Sequence, residues 1–286
     1  HRTETLTMLN VLMEYSQDWK LRYYAALIYW YKGQIEKAQQ LFETCKDQPD
    51  FAPFYVAKAS RFNDDSEIKL SALRRAQELG PKNWRTNYAL AQHEYNLGHY
   101  EKSLDLTSGF LDSPTGVGML YAKSLLALKK YKETLKFLEK FNVLPFEGAN
   151  ESRVIYHEAS VMASLELYDA KKFKKALEYA KKAPLWPRNL GAGKPYDVDE
   201  RLDHFLIGKI QEKLKTSKDT KTSMEQVIQH QPNQYMPESS NLIFQVMVLK
   251  ESGQNSTALD LLKKRLDQSP DSADLQWVKE VFEDKS

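Results

Sequence analysis

The sequence predicts an all-α protein, a right-handed α-α superhelical solenoid of about seven helical hairpins closed by a C-terminal capping helix. Three observations predict it. A signature of one aromatic or aliphatic residue, two charged residues and one small residue recurs at Ile35-Glu36-Lys37-Ala38, Tyr100-Glu101-Lys102-Ser103, Tyr131-Lys132-Glu133-Thr134 and Phe173-Lys174-Lys175-Ala176. A proline stands 14 residues after each first position, at Pro49, Pro114, Pro145 and Pro187. Between these landmarks apolar residues recur at steps of three and four, as in Trp84, Tyr88, Ala91 and Tyr95, and the alternation of strands is missing.

Each unit reads as two antiparallel helices with a tight turn between them. The first runs from Trp19 to Pro49, with Gly33 where its first helix must stop, because glycine tolerates the left-handed backbone there. The second is degenerate, with helices over 52–62 and 66–79 closed by Pro81. The third runs from Trp84 past Gly98 to Pro114, and the fourth from Thr115 to Pro145. The fifth has an elongated first helix over 151–170 and ends at Pro187. The small residues Ala38, Ser103, Thr134 and Ala176 fall where the second helix crosses the first closely, and the terminal prolines reset the chain. An atypical loop, 188–198, follows. Two further pairs span 199–214 with 218–230 and 239–252 with 256–268, and a helix over 272–283 caps the array. The domain reading is one array over 1–286: hairpins in 1–187, the loop, then hairpins and cap in 199–286.

The landmarks Trp19, Ala26, Tyr29, Gly33, Ala38, Phe42, Cys45 and Pro49, and again Trp84, Leu90, Ala91, Gly98, Tyr100, Phe110 and Pro114, resemble the tetratricopeptide repeat (TPR) family, a helix-turn-helix of about 34 residues. The resemblance covers nearly the whole chain. It implies a non-catalytic scaffold that holds a peptide, a partner protein or the N-terminal domain of the same polypeptide in a concave groove along the first helices of the hairpins. The family's inward positions map to Lys20, Tyr23, Leu27 and Trp30, to Phe54, Lys58 and Arg61, to Arg85, Tyr88, Gln92 and Tyr95, and to Met119 and Lys123. This mixture of aromatic and basic groups suits an extended peptide with acidic and apolar side chains. TPR domains that clamp a C-terminal carboxylate use Lys and Asn where this chain has Tyr23, Leu27, Tyr88 and Gln92, which speaks against that role. The runs 185–197 and 49–55 also resemble segments of large bacterial proteins in which a TPR region follows a carbohydrate-related β-rich domain. That resemblance implies an alternative, an accessory domain contributing to the substrate cleft of a carbohydrate-active bacterial enzyme.

Composition narrows the classes. Hydrophobic residues make up 42% and charged residues 28%, a globular balance. The 41 basic and 39 acidic side chains leave a formal charge of +2, too little excess for the counterion release that drives nucleic-acid binding. The single cysteine, Cys45, forms no internal disulfide, which fits a reducing, cytoplasmic setting. No apolar run reaches the ~18–20 residues of a membrane span. The opening His1-Arg2-Thr3-Glu4 is neither a start methionine nor a secretory leader, and the chain is read as an excised segment of a longer protein.

Chemistry-bearing patterns are few. Gly191-Ala192-Gly193-Lys194 lacks the earlier glycine and the following Ser or Thr of a phosphate loop, having Arg188 and Pro195 there. The loop is a structural connection, and its polar side chains Arg188, Lys194, Tyr196 and Asp197 form a second candidate surface. Asp197, Asp199, Glu200 and Asp203 read as acids gathered at a helix N-terminus rather than a carboxylate pair for glycoside chemistry. No histidine pair has ligand spacing, so neither a metal nor a cofactor is expected.

Overall fold

The structure, a computed structural model, describes residues 3–46, 49–60, 66–146, 148–231 and 238–284. The described residues contain sixteen α-helices and no strand. They are α1 (Thr3–Tyr15), α2 (Trp19–Tyr31), α3 (Ile35–Thr44), α4 (Ala52–Ala59), α5 (Ser66–Leu79), α6 (Trp84–Asn96), α7 (Tyr100–Ser108), α8 (Thr115–Ala127) and α9 (Tyr131–Leu138). There follow α10 (Glu151–Asp169), α11 (Phe173–Ala180), a 3-10 turn (Arg188–Leu190), α12 (Arg201–Leu214), α13 (Ser217–Gln229), α14 (Leu242–Glu251), α15 (Asn255–Gln268) and α16 (Ala273–Asp284). The all-α hairpin array read from the sequence is therefore the fold. Helix α1 is an addition, since it carries no repeat signature.

The chain divides into two compact units, His1–Ser124 and Leu125–Ser286, and the division falls inside α8. In both units one backbone device closes the first helix of a hairpin. A residue with positive φ stands at Gly33, Gly98, Lys129, Lys171, Lys215 and Gly253, two residues before the next helix begins. The amide after each donates back to the carbonyl five residues earlier, from Gln34 to Tyr29, His99 to Glu94, Lys130 to Leu125, Lys172 to Leu167, Thr216 to Gln211 and Gln254 to Leu249, at 2.8–3.1 Å. This satisfies carbonyls that a helix end would leave orphaned. Three of the six positions hold lysine, which bears steric strain in the left-handed region. Lys171→Gly is therefore expected to stabilise the protein by about 0.5–1 kcal/mol, the relieved strain exceeding the added freedom of the unfolded chain. A rise in urea midpoint at unchanged slope checks it.

The small signature residues sit where they are needed. Ala38 is 2% exposed, and Ser103, Thr134 and Ala176 are fully buried. Ser103 also accepts a hydrogen bond from Ser124 Oγ at 3.0 Å, so a polar residue is accommodated at a helix crossing. The core of unit 1 is aromatic: Tyr23, Phe42, Phe54 and Tyr55 cluster with Ala26, Ala38 and Cys45. Burial pushes the Cys45 thiol up to about 11, against the opposing pull of Arg22 and Lys58, which makes it an inert core group.

In unit 2, Leu206, Ile207 and Ile210 of α12 pack with Ala176 and Ala180 of α11, while α14, α15 and α16 share Leu242, Val246, Leu262, Leu275 and Val278. The atypical loop is fastened at its start. Asn189 Nδ2 donates to the carbonyls of Leu138 and Phe141, both at 2.8 Å, and the Asn189 carbonyl accepts from Val143 N at 2.8 Å. Ser152 Oγ donates to the Leu190 carbonyl at 2.7 Å. Gly191 follows at φ 71°, and a Cβ there would stand 2.7 Å from the Val143 carbonyl oxygen. Gly191→Ala combines a left-handed backbone with a clash against main chain, so a loss of about 2 kcal/mol or more is expected. Thermal unfolding of the variant measures it.

Candidate partner-binding surface

Helix α2 begins where Asp18 accepts from the Lys20 amide at 3.0 Å, and α6 where Asn83 does the same for Arg85 at 2.9 Å. Three sides of α2 are covered. Leu21, Ala25 and Ile28 pack with Leu6 and Leu9 of α1; Ala26 joins Ala38 and Phe42 of α3; Trp19 and Tyr23 meet Phe54 of α4 at ring-centroid distances of 6.0 and 5.7 Å. The fourth side holds Lys20, Tyr24, Leu27 and Tyr31, at i, i+4, i+7 and i+11 along the helix. Lys20 is exposed, Tyr24 is 52% and Tyr31 73% exposed, and Leu27 is half-buried. Counted from the closing glycine, the same four positions of α6 are Arg85, Ala89, Gln92 and Asn96, of which Arg85 and Asn96 are exposed and the other two half-buried.

The inward positions taken from the sequence are thus partly corrected. Tyr23 (6% exposed), Phe54 (0%) and Met119 (7%) are core residues and present no wall. Tyr23 lies buried under the exposed Tyr24 and Phe51, with ring centroids 5.3 and 6.0 Å away. Trp30 is half-buried against the same aromatic cluster. Lys20, Leu27, Arg85 and Gln92 fall on the open rows. Tyr88 is half-buried with its ring against Gly116, and Tyr95 is half-buried beside Tyr100, centroids 5.2 Å apart. Lys123 is half-buried on α8, and Lys58 lines a cleft of about 710 Å³ with Tyr55 and Arg75. Arg61 lies outside the described residues. The open tyrosines Tyr24 and Tyr31 escaped the sequence reading by one residue of helical register.

The first helices of unit 1 are basic. The first helices α2, α4, α6 and α8 carry Lys20, Arg22, Lys58, Arg85 and Lys123. Their one carboxylate, Glu94, is 4% exposed and occupied, with Oε2 at 2.6 Å from His99 Nδ1 and 3.7 Å from Lys102 Nζ. The second helices α3, α5 and α7 carry both signs, Glu36, Glu43, Glu67, Glu78, Glu101 and Asp105 beside Lys37, Lys69, Arg74, Arg75 and Lys102. The Arg85 guanidinium lies 4.4 Å from the Trp84 ring, and Lys20 Nζ 5.9 Å from the Trp19 ring, so aromatic faces carry the cations.

The loop candidates belong to unit 2. Arg188 and Asp197 are exposed and Tyr196 is fully so, while Lys194 Nζ is engaged by Glu200 Oε1 at 2.7 Å. The neighbouring acids are individually paired: Asp199 binds Arg201, and Asp203 Oδ1 lies 2.7 Å from His157 Nε2. Among the described residues no group of three or more His, Cys, Asp or Glu side chains converges as metal ligands, and no helix is long and apolar enough to cross a membrane.

No family model matches the chain, and no curated protein sequence does. Solved structures do. The structure of Naa15/Naa10 bound to HypK-THB superposes with a TM-score of 0.54 at 12% identity, covering 94% of this chain and 40% of that one. The C-terminal part of a TPR repeat-containing protein from Cytophaga hutchinsonii gives 0.51 at 9% identity, covering 80% and 90%. A tetratricopeptide repeat protein from Parabacteroides merdae gives 0.47 at 12% identity, covering 92% and 98%. The chain has the TPR-like fold.

Proposed function

We propose that this chain is a non-catalytic interaction scaffold. Its unit 1 holds an acidic peptide with aromatic or aliphatic side chains against the first helices of its hairpins, the peptide being supplied by a partner protein or by another domain of the same polypeptide. The basic character of the first helices carries the reading: they offer cations and half-open aromatics, and their one carboxylate is buried and paired. Tyr24 and Tyr31 supply rigid contact area with little conformational freedom to lose, and Lys20 and Arg85 supply partners for carboxylates.

Selection from a random peptide library displayed on phage tests it. Enriched peptides should combine Asp or Glu with Phe, Tyr or Leu. Their affinity should fall at least about tenfold in a Tyr24→Ala, Tyr31→Ala chain and weaken with added salt. Peptides without acidic residues, or indifference to both changes, would overturn the proposal.

A further inference from the structure

We infer that α1 carries a second docking surface, made for an amphipathic α-helix whose apolar row is flanked by Lys or Arg. This surface is independent of the first-helix wall. One face of α1 is used within unit 1, where Leu6 and Leu9 are buried against Ala25 and Ile28. On the opposite side Met8, Val11, Leu12 and Tyr15 are 55%, 50%, 41% and 83% exposed. Their spacing of i, i+3, i+4 and i+7 sets the four side chains in one stripe along two turns. Scattered exposed apolar residues need no explanation, but a continuous stripe does. A helix apolar on two opposite faces is one that is covered on both. Helix α2 shows that arrangement completed, with α1 on one side and α4 on the other.

Spacing and charge identify the occupant. A ridge at steps of three and four interlocks with the groove of another helix. Thr3–Tyr15 contains no Lys or Arg, and its two carboxylates, Glu4 and Glu14, are both exposed. Glu4 stands one turn before Met8 on the same stripe, so a helix seated there meets negative charge at its margin. A stripe of two turns offers far less than the ~800 Å² per partner of a standard stable interface, which argues against a second copy joined through this face alone.

The test uses the whole chain and two fluorescein-labelled synthetic helices of about 20 residues, each with Leu at i, i+3, i+4 and i+7. One peptide has Lys flanks and the other Glu flanks. Fluorescence anisotropy at low salt should show the Lys-flanked peptide binding at least about tenfold more tightly. Val11→Glu with Leu12→Glu should abolish binding, Glu4→Lys with Glu14→Lys should reverse the preference, and Tyr24→Ala with Tyr31→Ala should leave it unchanged. Circular dichroism confirms that the variants stay folded. The inference fails if neither peptide binds, if both bind equally, or if the Tyr24, Tyr31 chain loses binding. A dimer in sedimentation that Leu12→Glu dissolves would also overturn it, by making a second copy the occupant.

Discussion

Arg201→Ala is expected to destabilise unit 2 by about 3–5 kcal/mol, the cost of removing the buried partner of an ion pair. Arg201 is 1% exposed at the start of α12. Its Nε and Nη2 reach Asp199 at 2.9 and 2.8 Å, Nη2 reaches Glu238 Oε1 at 2.6 Å, and Nη1 reaches Gln245 at 3.3 Å. Ser239 Oγ donates to Asp199 at 2.8 Å, and Arg265 Nε lies 3.2 Å from Glu238 Oε2, near enough for an ion pair though outside hydrogen-bond geometry. One guanidinium thus ties the start of α12 to the segment before α14 and, through Glu238, to α15. Hydrogen exchange read by mass spectrometry should show faster exchange over α12 and α14 and no change over α2–α5.

The cluster also sets a pH dependence. Burial by itself would raise the Asp199 carboxyl, but the hydrogen bonds and charge of Arg201, with Ser239, outweigh it and hold the group well below the ordinary carboxylate range. The folded state therefore binds fewer protons than the unfolded one. The contribution of Asp199 is fully present above the unfolded value near 3.8 and is lost as pH falls toward the folded value.

Phe54→Ala is the second large effect, with an expected loss of about 3–5 kcal/mol from unit 1. Phe54 is fully buried, and its ring meets Trp19, Tyr23, Phe42 and Tyr55 at centroid distances of 5.1–6.0 Å. Removing it empties the junction of α2, α3 and α4. Tyr24→Ala, one residue from the buried Tyr23, should stay within about 0.5 kcal/mol of the parent because its ring is half open to solvent. Urea denaturation of the two variants separates core from wall. A Phe54 variant as stable as the Tyr24 variant would contradict the packing described for this junction.

The hairpins were legible because their determinants are local. Gly33 and Gly98 mark left-handed stops, Ala38 and Ala176 mark close crossings, and each lies at a fixed step from the next landmark. Lys129, Lys171 and Lys215 occupy the same stops without a glycine to betray them. The open face was legible only to within one residue. Which side of α2 stays open depends on what covers the other three, and one cover is α1, which carries no repeat signature. Arg201 stands in the sequence between Glu200 and Asp203, within an acidic run. Its partner Glu238, which also pairs with Arg265, lies far along the sequence, and no local spacing announces that the guanidinium will be sealed against it.

The most direct test is a footprint. Amide hydrogen exchange of the whole chain is compared with and without an acidic, aromatic peptide selected by phage display. The account predicts slowed exchange in the first helices of unit 1, above all α2 and α6, with α3, α5 and α7 unaltered. Protection confined to the second helices, or to the segment 188–198, would contradict it.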